Sequence, residues 1–356
     1  VPGVRPKQVL LIGSNLLGNA ITTARFAELL GGMDGVELTT VTFAQSEVDA
    51  VPWALARRFH ALAVSRVLRG KLAPLRARRF DAIVCVSVQP LLALGGLAAS
   101  TPLVLWFDAL PFHPGGGLRA RLLNQAAAML YRRPLSRVTT LLAASRNAAQ
   151  AIADHRFPRL RKSEVAYAGV DTARWAPRLP RERAPDGRAR VLSVANDIRR
   201  KGLLDFFAYA RDHKLDLSAF SFRIVTGEPN DELRGLADLF GIEIVTGASH
   251  ARLDELIALY HDADIFFLPT KADMMPHVLL EACAAGLPIV AGNVGAISEV
   301  VEDGRTGFLV EARDWHGFHE ALRKAARFDG YDNSEALRRF GLPRLRAILA
   351  ESLEPG

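Results

Sequence analysis

The sequence predicts an α/β protein made of two Rossmann-like domains. Three observations point there. Short apolar runs with strand character alternate with stretches of helical spacing along nearly the whole chain. A Pro- and Arg-rich segment, residues 177–188, separates one such alternation from a second. The 356 residues, 49% hydrophobic and 23% charged, suffice for two full cores in a globular chain.

In the first half, residues 9–12 form a strand, and Gly13, Ser14, Asn15 and Gly18 a loop before a helix over 20–30. A glycine loop at that place is by itself a weak phosphate signal. Residues 36–43 are the second strand. Residues 53–79 are basic and helical; Leu55, Phe59 and Leu62 share a face, with Arg66 and Arg69 close to it. Strands follow over 80–87 and 101–107. Asp108 stands at the carboxyl end of the latter, where it serves either as a strand-end cap or on the acceptor side of a site. His113 and Gly115 to Gly117 lie in the loop beyond. Residues 118–131 are a helix, with apolar Leu122, Ala126 and Leu130 at four-residue spacing. A strand over 138–144, a short helix over 147–154 and an extended segment over 164–169 complete this half.

The second alternation starts at Arg190. A strand over 191–194 leads into the loop Asn196-Asp-Ile-Arg-Arg200-Lys201-Gly202 and a helix. Strands over 222–225 and 242–245 and a helix over 253–261 precede Asp264. The tail is helical over 320–326 and 334–353.

Residues 265–310 organise this half. Ile265 to Leu268 form a buried strand, stopped by Pro269. Asp273 lies in a polar loop, Pro276 suits a first helical turn, and Gly286 ends the helix before a strand at Leu287, Ile289 and Val290. The loop therefore lies over the carboxyl end of a parallel sheet, where open α/β sheets bind ligands. Asp273 and Glu281 stand about two helical turns apart and can line one edge of a cleft. The amides of the helix start, near His277, attract anions there. Carboxylates for hydroxyls beside an amide nest for phosphates fit a nucleotide-sugar. Alone, such a pair is more often a solvated Asp and a capping Glu.

This stretch resembles the signature of retaining glycosyltransferases with the GT-B fold, family 4. The residues are Asp273-Met-Met-Pro276, Glu281-Ala282, Gly286-Leu-Pro288-Ile289, Gly295-Ala296, Glu299 and Gly304-Arg-Thr-Gly307. Gly169-Val-Asp171-Thr-Ala-Arg-Trp175-Ala-Pro177 is similar to the segment where that family's chain leaves its first domain, with Trp175 for the usual Phe. Asp273 replaces the usual Glu, Met274 the usual Gly, and Asn196 the usual Arg. The resemblance implies two Rossmann-like domains facing across a cleft. The first spans residues 1–172 plus a C-terminal helix about 335–356 that crosses back onto it; the second, residues 173–334, binds the donor. It implies that Lys201 contacts the donor diphosphate, with Arg199 or Arg200 supplying the charge that Asn196 lacks. Asp273 would bind a sugar hydroxyl and Glu281 the ribose hydroxyls.

Composition and charge narrow the partners. No uncharged apolar run approaches a membrane span, and no signal peptide is visible at Val-Pro-Gly-Val-Arg-Pro. Cys85 and Cys283 sit far apart in apolar segments and read as buried thiols in a reducing cytoplasm. No His/Cys/Asp cluster has metal-ligand spacing, so no cofactor and no metal are expected. Residues 1–172 hold 21 Lys+Arg against 10 Asp+Glu, and the remainder 24 against 28. A basic first half asks for an anionic partner: a phosphate-bearing glycolipid acceptor or an anionic membrane surface. Aromatics are sparse and no recognition motif for nucleic acid is present.

The expected function is transfer of a hexosyl unit from a nucleoside diphosphate sugar to a hydroxyl of a glycan or glycolipid with retained configuration, in bacterial surface-glycan assembly. The enzyme would be cytoplasmic and peripheral at the membrane. Lys201, Asp273 and Asp108 are the catalytic candidates; Gly18, Asn196, Arg200, Lys201, Asp273, His277 and Glu281 are the donor-binding ones. A nucleotide-sugar epimerase on the same fold and a degenerate nucleotide-sugar-binding protein are the alternatives.

Overall fold

The computed structural model describes residues 5–15, 17–51, 60–98, 100–108, 118–152, 157–176, 184–248, 252–328 and 331–354. His113, Gly115 to Gly117, Leu55 and Phe59 lie outside them, as does 177–183 of the expected linker. The chain divides into two compact units, Val1–Gly169 with Pro343–Gly356, and Val170–Leu342.

The first unit is built on six parallel strands: β1 (Lys7–Ser14), β2 (Val36–Phe43), β3 (Ala82–Val86), β4 (Leu103–Phe107), β5 (Thr140–Ala143) and β6 (Lys162–Val165), in the order β2-β1-β3-β4-β5-β6. The second has β7 (Ala189–Val194), β8 (Phe220–Val225), β9 (Glu243–Val245), β10 (Ile265–Leu268), β11 (Ile289–Gly292) and β12 (Gly307–Val310), ordered β12-β11-β10-β7-β8-β9 and also parallel. Parallel strands joined by helical crossovers are covered on both faces and so become continuous apolar runs. Val9, Leu10, Leu11 and Ile12 of β1, and Ile265, Phe266, Phe267 and Leu268 of β10, are completely buried. Burial also pushes the thiol of Cys283 up to about 11 and that of Cys85 higher still, so both are inert.

Four placements differ from the sequence expectations. β1 continues to Ser14 and the first helix spans Leu17–Gly31, so Gly18 lies in a helical turn rather than a loop. Trp175 is buried edge-on against Tyr260, with ring centroids 5.0 Å apart, so the segment after Gly169 already belongs to the second unit. The passage between units therefore comes before the Pro/Arg-rich segment expected to be the linker. The single tail helix expected over 334–353 is two helices, Ser334–Phe340 and Leu342–Ser352. Gly341 interrupts them by pairing with Val170, and Pro343 fits the first turn of the second helix, where its missing N–H costs nothing. The former packs on the helix His277–Ala284 of the second unit, leaving Leu345, Ile348 and Leu349 of the latter to bury in the first.

The fourth concerns two helices of the first unit. His60–Leu72 buries Ala63, Val64, Leu68 and Leu72 in the core and turns His60, Arg66, Arg69 and Lys71 to solvent. Leu118–Leu135 does the reverse: its periodic apolar face, at Leu122, Ala126 and Leu130, is exposed.

Candidate active site

The site grows from the middle of the second sheet. β7 and β10 are neighbours, yet the chain leaves β7 towards β8 on one side and β10 towards β11 on the other. A crevice opens outside the carboxyl ends of two such strands. The loop after β7 carries Asn196 to Gly202, and the loop after β10 carries Pro269 to Pro276.

Gly202 lets these loops touch. It has φ +75°, and a Cβ there would overlap the carbonyl oxygen of Pro269. The Lys271 N–H donates to the Arg200 carbonyl at 3.2 Å, and Lys271 Nζ donates to Asp205 on the helix Leu203–Asp212 at 2.5 Å. Gly295, at φ +59°, closes the far side, where a Cβ would overlap the Asp273 carbonyl oxygen. The Ala296 N–H donates to the Met274 carbonyl at 2.8 Å. The two glycines thus hold the Asp273 loop from both flanks.

These loops bring Lys201, Arg200 and Asp273 together. Lys201 Nζ donates to Asp273 Oδ2, and Arg200 Nη1 donates to the same oxygen at 3.2 Å. Asp273 Oδ1 accepts the Met274 N–H at 2.9 Å. Arg200 is further fixed by the Ala272 carbonyl at 2.9 Å and by Asp197 Oδ2 at 3.1 Å. The Lys201 side chain is only 10% exposed. Burial pulls its ammonium pKa below the usual lysine value, and the Asp273 charge works against that pull. Arg199 instead pairs with Glu232. Of the two arginines the sequence left open, Arg200 is the one that joins Lys201.

Asn196 and Glu281, also singled out from sequence, have partners outside this trio. Asn196 turns its Oδ1 to the Gly227 N–H at 3.1 Å, tying the ends of β7 and β8. His277 opens the helix His277–Ala284 and is half-buried. Glu281 is completely buried, and Oε2 accepts the Tyr260 hydroxyl at 3.2 Å. Tyr260 stacks on Phe266 at 5.4 Å, and burial, then the Glu281 charge, lifts its phenol pKa well above the usual value. Sequence reasoning missed Tyr260, whose helix, Leu253–Asp262, carries no local mark of a carboxylate 21 residues on. Sequence reasoning found no acid pair with metal-ligand spacing and so passed over Asp262-Ala-Asp264; both of its carboxylates are engaged by Arg190, and Asp262 also by Arg223. Among the described residues no cluster could hold a metal ion.

In the first unit the described residues at the centre of the corresponding edge are uncharged. β1 and β3 are neighbours in register from Val9 opposite Ala82 to Ile12 opposite Cys85, and Ser14 and Ser87 lie at their carboxyl ends. Ser14 Oγ, Thr23 Oγ1, Ser87 Oγ and Gln89 Oε1 are buried and find no hydrogen-bond partner among the described residues. Ser87 sits in the left-handed region at φ +77°. Buried hydroxyls are normally paired, and strained backbone gathers at binding sites. Asp108, half-buried, follows β4 on the same edge. The strand-end position of Ser87 was available from the sequence, but its strain and its unpaired hydroxyl were not.

Two doubly wound parallel sheets, each with a polar constellation outside its central carboxyl ends, are the two Rossmann-like domains of a GT-B fold. Residues 178–339 match the family described as glycosyl transferases group 1. The chain is 33% identical over 206 residues to a D-inositol 3-phosphate glycosyltransferase of Arthrobacter sp. (strain FB24), covering 53% of this chain and 49% of that protein. It is 29% identical over 287 residues to a GDP-mannose-dependent alpha-mannosyltransferase of Mycolicibacterium smegmatis, covering 77% and 71%. The chain spans about half the length of the first curated relatives it matches. Among solved structures, a sucrose-phosphate synthase from Thermosynechococcus elongatus superimposes with a TM-score of 0.74 at 15% identity, over 97% of this chain and 98% of that one. That likeness is one of fold.

Proposed function

We propose that this protein transfers a hexosyl unit from a nucleoside diphosphate sugar to a hydroxyl of a glycan or glycolipid, with retention of anomeric configuration, in the assembly of a bacterial surface glycan. The observation behind this reading is the buried Lys201, paired with Asp273 and joined by Arg200 at the centre of the second sheet's carboxyl edge. A nucleotide-sugar donor is in keeping with the GDP-mannose-dependent relative.

In this reading the bond between the anomeric carbon and the diphosphate oxygen breaks, and negative charge grows on the leaving group. Lys201 and Arg200 meet that charge in a site where burial strengthens the interaction. Asp273, whose carboxylate they already share, accepts a hydroxyl of the transferred sugar. Glu281, fixed by Tyr260, receives the ribose hydroxyls. The acceptor oxygen attacks the face that the diphosphate leaves, and its proton passes to the departing phosphate oxygen. Ser14, Ser87 and Asp108 offer partners to the acceptor's hydroxyls on the first unit.

The test is incubation with a panel of nucleoside diphosphate sugars and hydroxyl acceptors, with products read by mass spectrometry and their anomeric configuration by NMR. The expected product keeps the donor's configuration. An inverted product would remove the same-face step. Epimerised donor with no transfer would remove the reading as a whole.

A further inference from the structure

The helix Leu118–Leu135 shows solvent an apolar face that the proposed transfer does not use. Among the described residues the exposed large hydrophobic side chains are Leu122, Met129, Leu130 and Leu239, and three of these four belong to this helix. Met129 is 79% exposed and Leu122 57%. Leu122, Ala126, Met129 and Leu130 fall at i, i+4, i+7 and i+8, which places them along one stripe about 12 Å long. Single exposed apolar residues are ordinary, but an aligned set marks a contact surface.

The charge around the stripe identifies the partner. Between Asp108 and Asp154 the chain has six arginines and no acidic residue. Arg132 and Arg133, in the last turn of this helix, are exposed. Just beyond, Arg137 lines a cavity of about 460 Å³ together with Arg159 and Arg161, and none of the cavity's lining residues is acidic. Burial, then repulsion from Arg159, lowers the Arg137 pKa. No helix among the described residues is long and apolar enough to cross a membrane; an apolar face flanked by arginines suits the plane of an anionic membrane surface.

We infer that the stripe Leu122–Ala126–Met129–Leu130 docks on an anionic phospholipid surface, with the neighbouring arginines meeting lipid phosphates. An apolar face supplies partition into the headgroup boundary, and each Arg near the surface adds an attraction that salt screens. The inference is independent of the donor site, and its test involves no sugar transfer.

The test uses the whole chain in co-sedimentation with phosphatidylglycerol vesicles and with phosphatidylcholine vesicles. The protein is expected to pellet with the former at low salt and to release as salt rises. The double substitution Leu122→Ser, Met129→Ser should lower the partition coefficient about tenfold or more, whereas Leu239→Ser on the second unit should leave it unchanged. Because Cys85 and Cys283 are buried, an environment-sensitive dye on Met129→Cys labels that site selectively. Its emission should shift blue with anionic vesicles, and the same dye on Leu239→Cys should not respond. Recovery of the parent in the supernatant, equal binding by the double variant, or a dye at 129 that stays in water would each overturn the inference. So would a parent dimer that the double variant makes monomeric with no vesicle bound, since the stripe would then face a second copy.

Discussion

The two sheets end in edges of opposite character. At the centre of the second, Lys201, Arg200 and Asp273 form a charged cluster in which each group has a partner. At the centre of the first, Ser14, Thr23, Ser87 and Gln89 present buried neutral oxygens with no partner among the described residues. One topological device, a switch point between neighbouring parallel strands, has been filled in two ways. A paired charge cluster suits an anion, because a diphosphate can take over contacts that Asp273 holds meanwhile. Unpaired neutral hydroxyls suit a ligand that is itself a set of hydroxyls. The contrast follows the proposed division between nucleotide-sugar donor and sugar acceptor.

The largest expected effect breaks the charged side. Lys201→Ala should lower kcat/KM for the donor about 10²- to 10³-fold, the usual loss when a group meeting transition-state charge is removed. Steady-state kinetics check it, and a variant within a factor of three of the parent would remove Lys201 from the mechanism. A pH series sharpens the same point. Only the ammonium form attracts a diphosphate, so donor affinity should fall as pH rises through the Lys201 pKa. Burial sets that pKa below the ordinary lysine value. Lys201→Arg, which stays charged, should move this alkaline limb upward.

A second variant tests the loop contact beneath the cluster. Gly202→Ala places a methyl group against the Pro269 carbonyl at a left-handed position, and should cost about 2 kcal/mol or more while raising donor KM. Urea denaturation with donor titration reads both; an unchanged KM would mean that the approach of the two loops does not position Lys201. A smaller loss is expected from Tyr260→Phe, which takes the hydrogen-bond donor from the buried Glu281 and should destabilise by about 1–3 kcal/mol. An unchanged denaturation midpoint would show that Glu281 is satisfied without it.

The smallest effect lies on the neutral side and has the opposite sign for stability. Ser87→Ala removes a buried unpaired hydroxyl, so stability should hold or rise by about 1 kcal/mol. Acceptor KM should rise about fivefold, the equivalent of one neutral hydrogen bond. A loss of stability with an unchanged acceptor KM would turn Ser87 into a packing residue and dissolve the comparison.

The sequence was most legible where chemistry and fold share one local signal. The apolar runs at residues 9–12 and 265–268 are strands because parallel strands are covered on both faces. Asp273 and Lys201 were found through contiguous motifs, and their pairing follows from neighbouring strand ends. Legibility failed where the decisive neighbour is distant. The helices His60–Leu72 and Leu118–Leu135 both have apolar periodicity, but periodicity says only that one face differs from the other. Which face meets a sheet depends on tertiary placement. Tyr260 was invisible for the same reason, as was the break at Gly341, which rests on pairing with Val170.

The closing helix, Leu342–Ser352, has a bearing on synthesis. It belongs to the first unit, yet the whole second unit precedes it in the chain. On the ribosome the second unit is therefore complete while the first still lacks the helix that buries Leu345, Ile348 and Leu349 and pairs Glu351 with Lys162. Domains usually finish in the order they are made; here the first to emerge should be the last to close. Chains ended at Leu342 should yield a protease-resistant second unit and a digestible first one. Equal resistance of both would show that the first unit closes without its final helix.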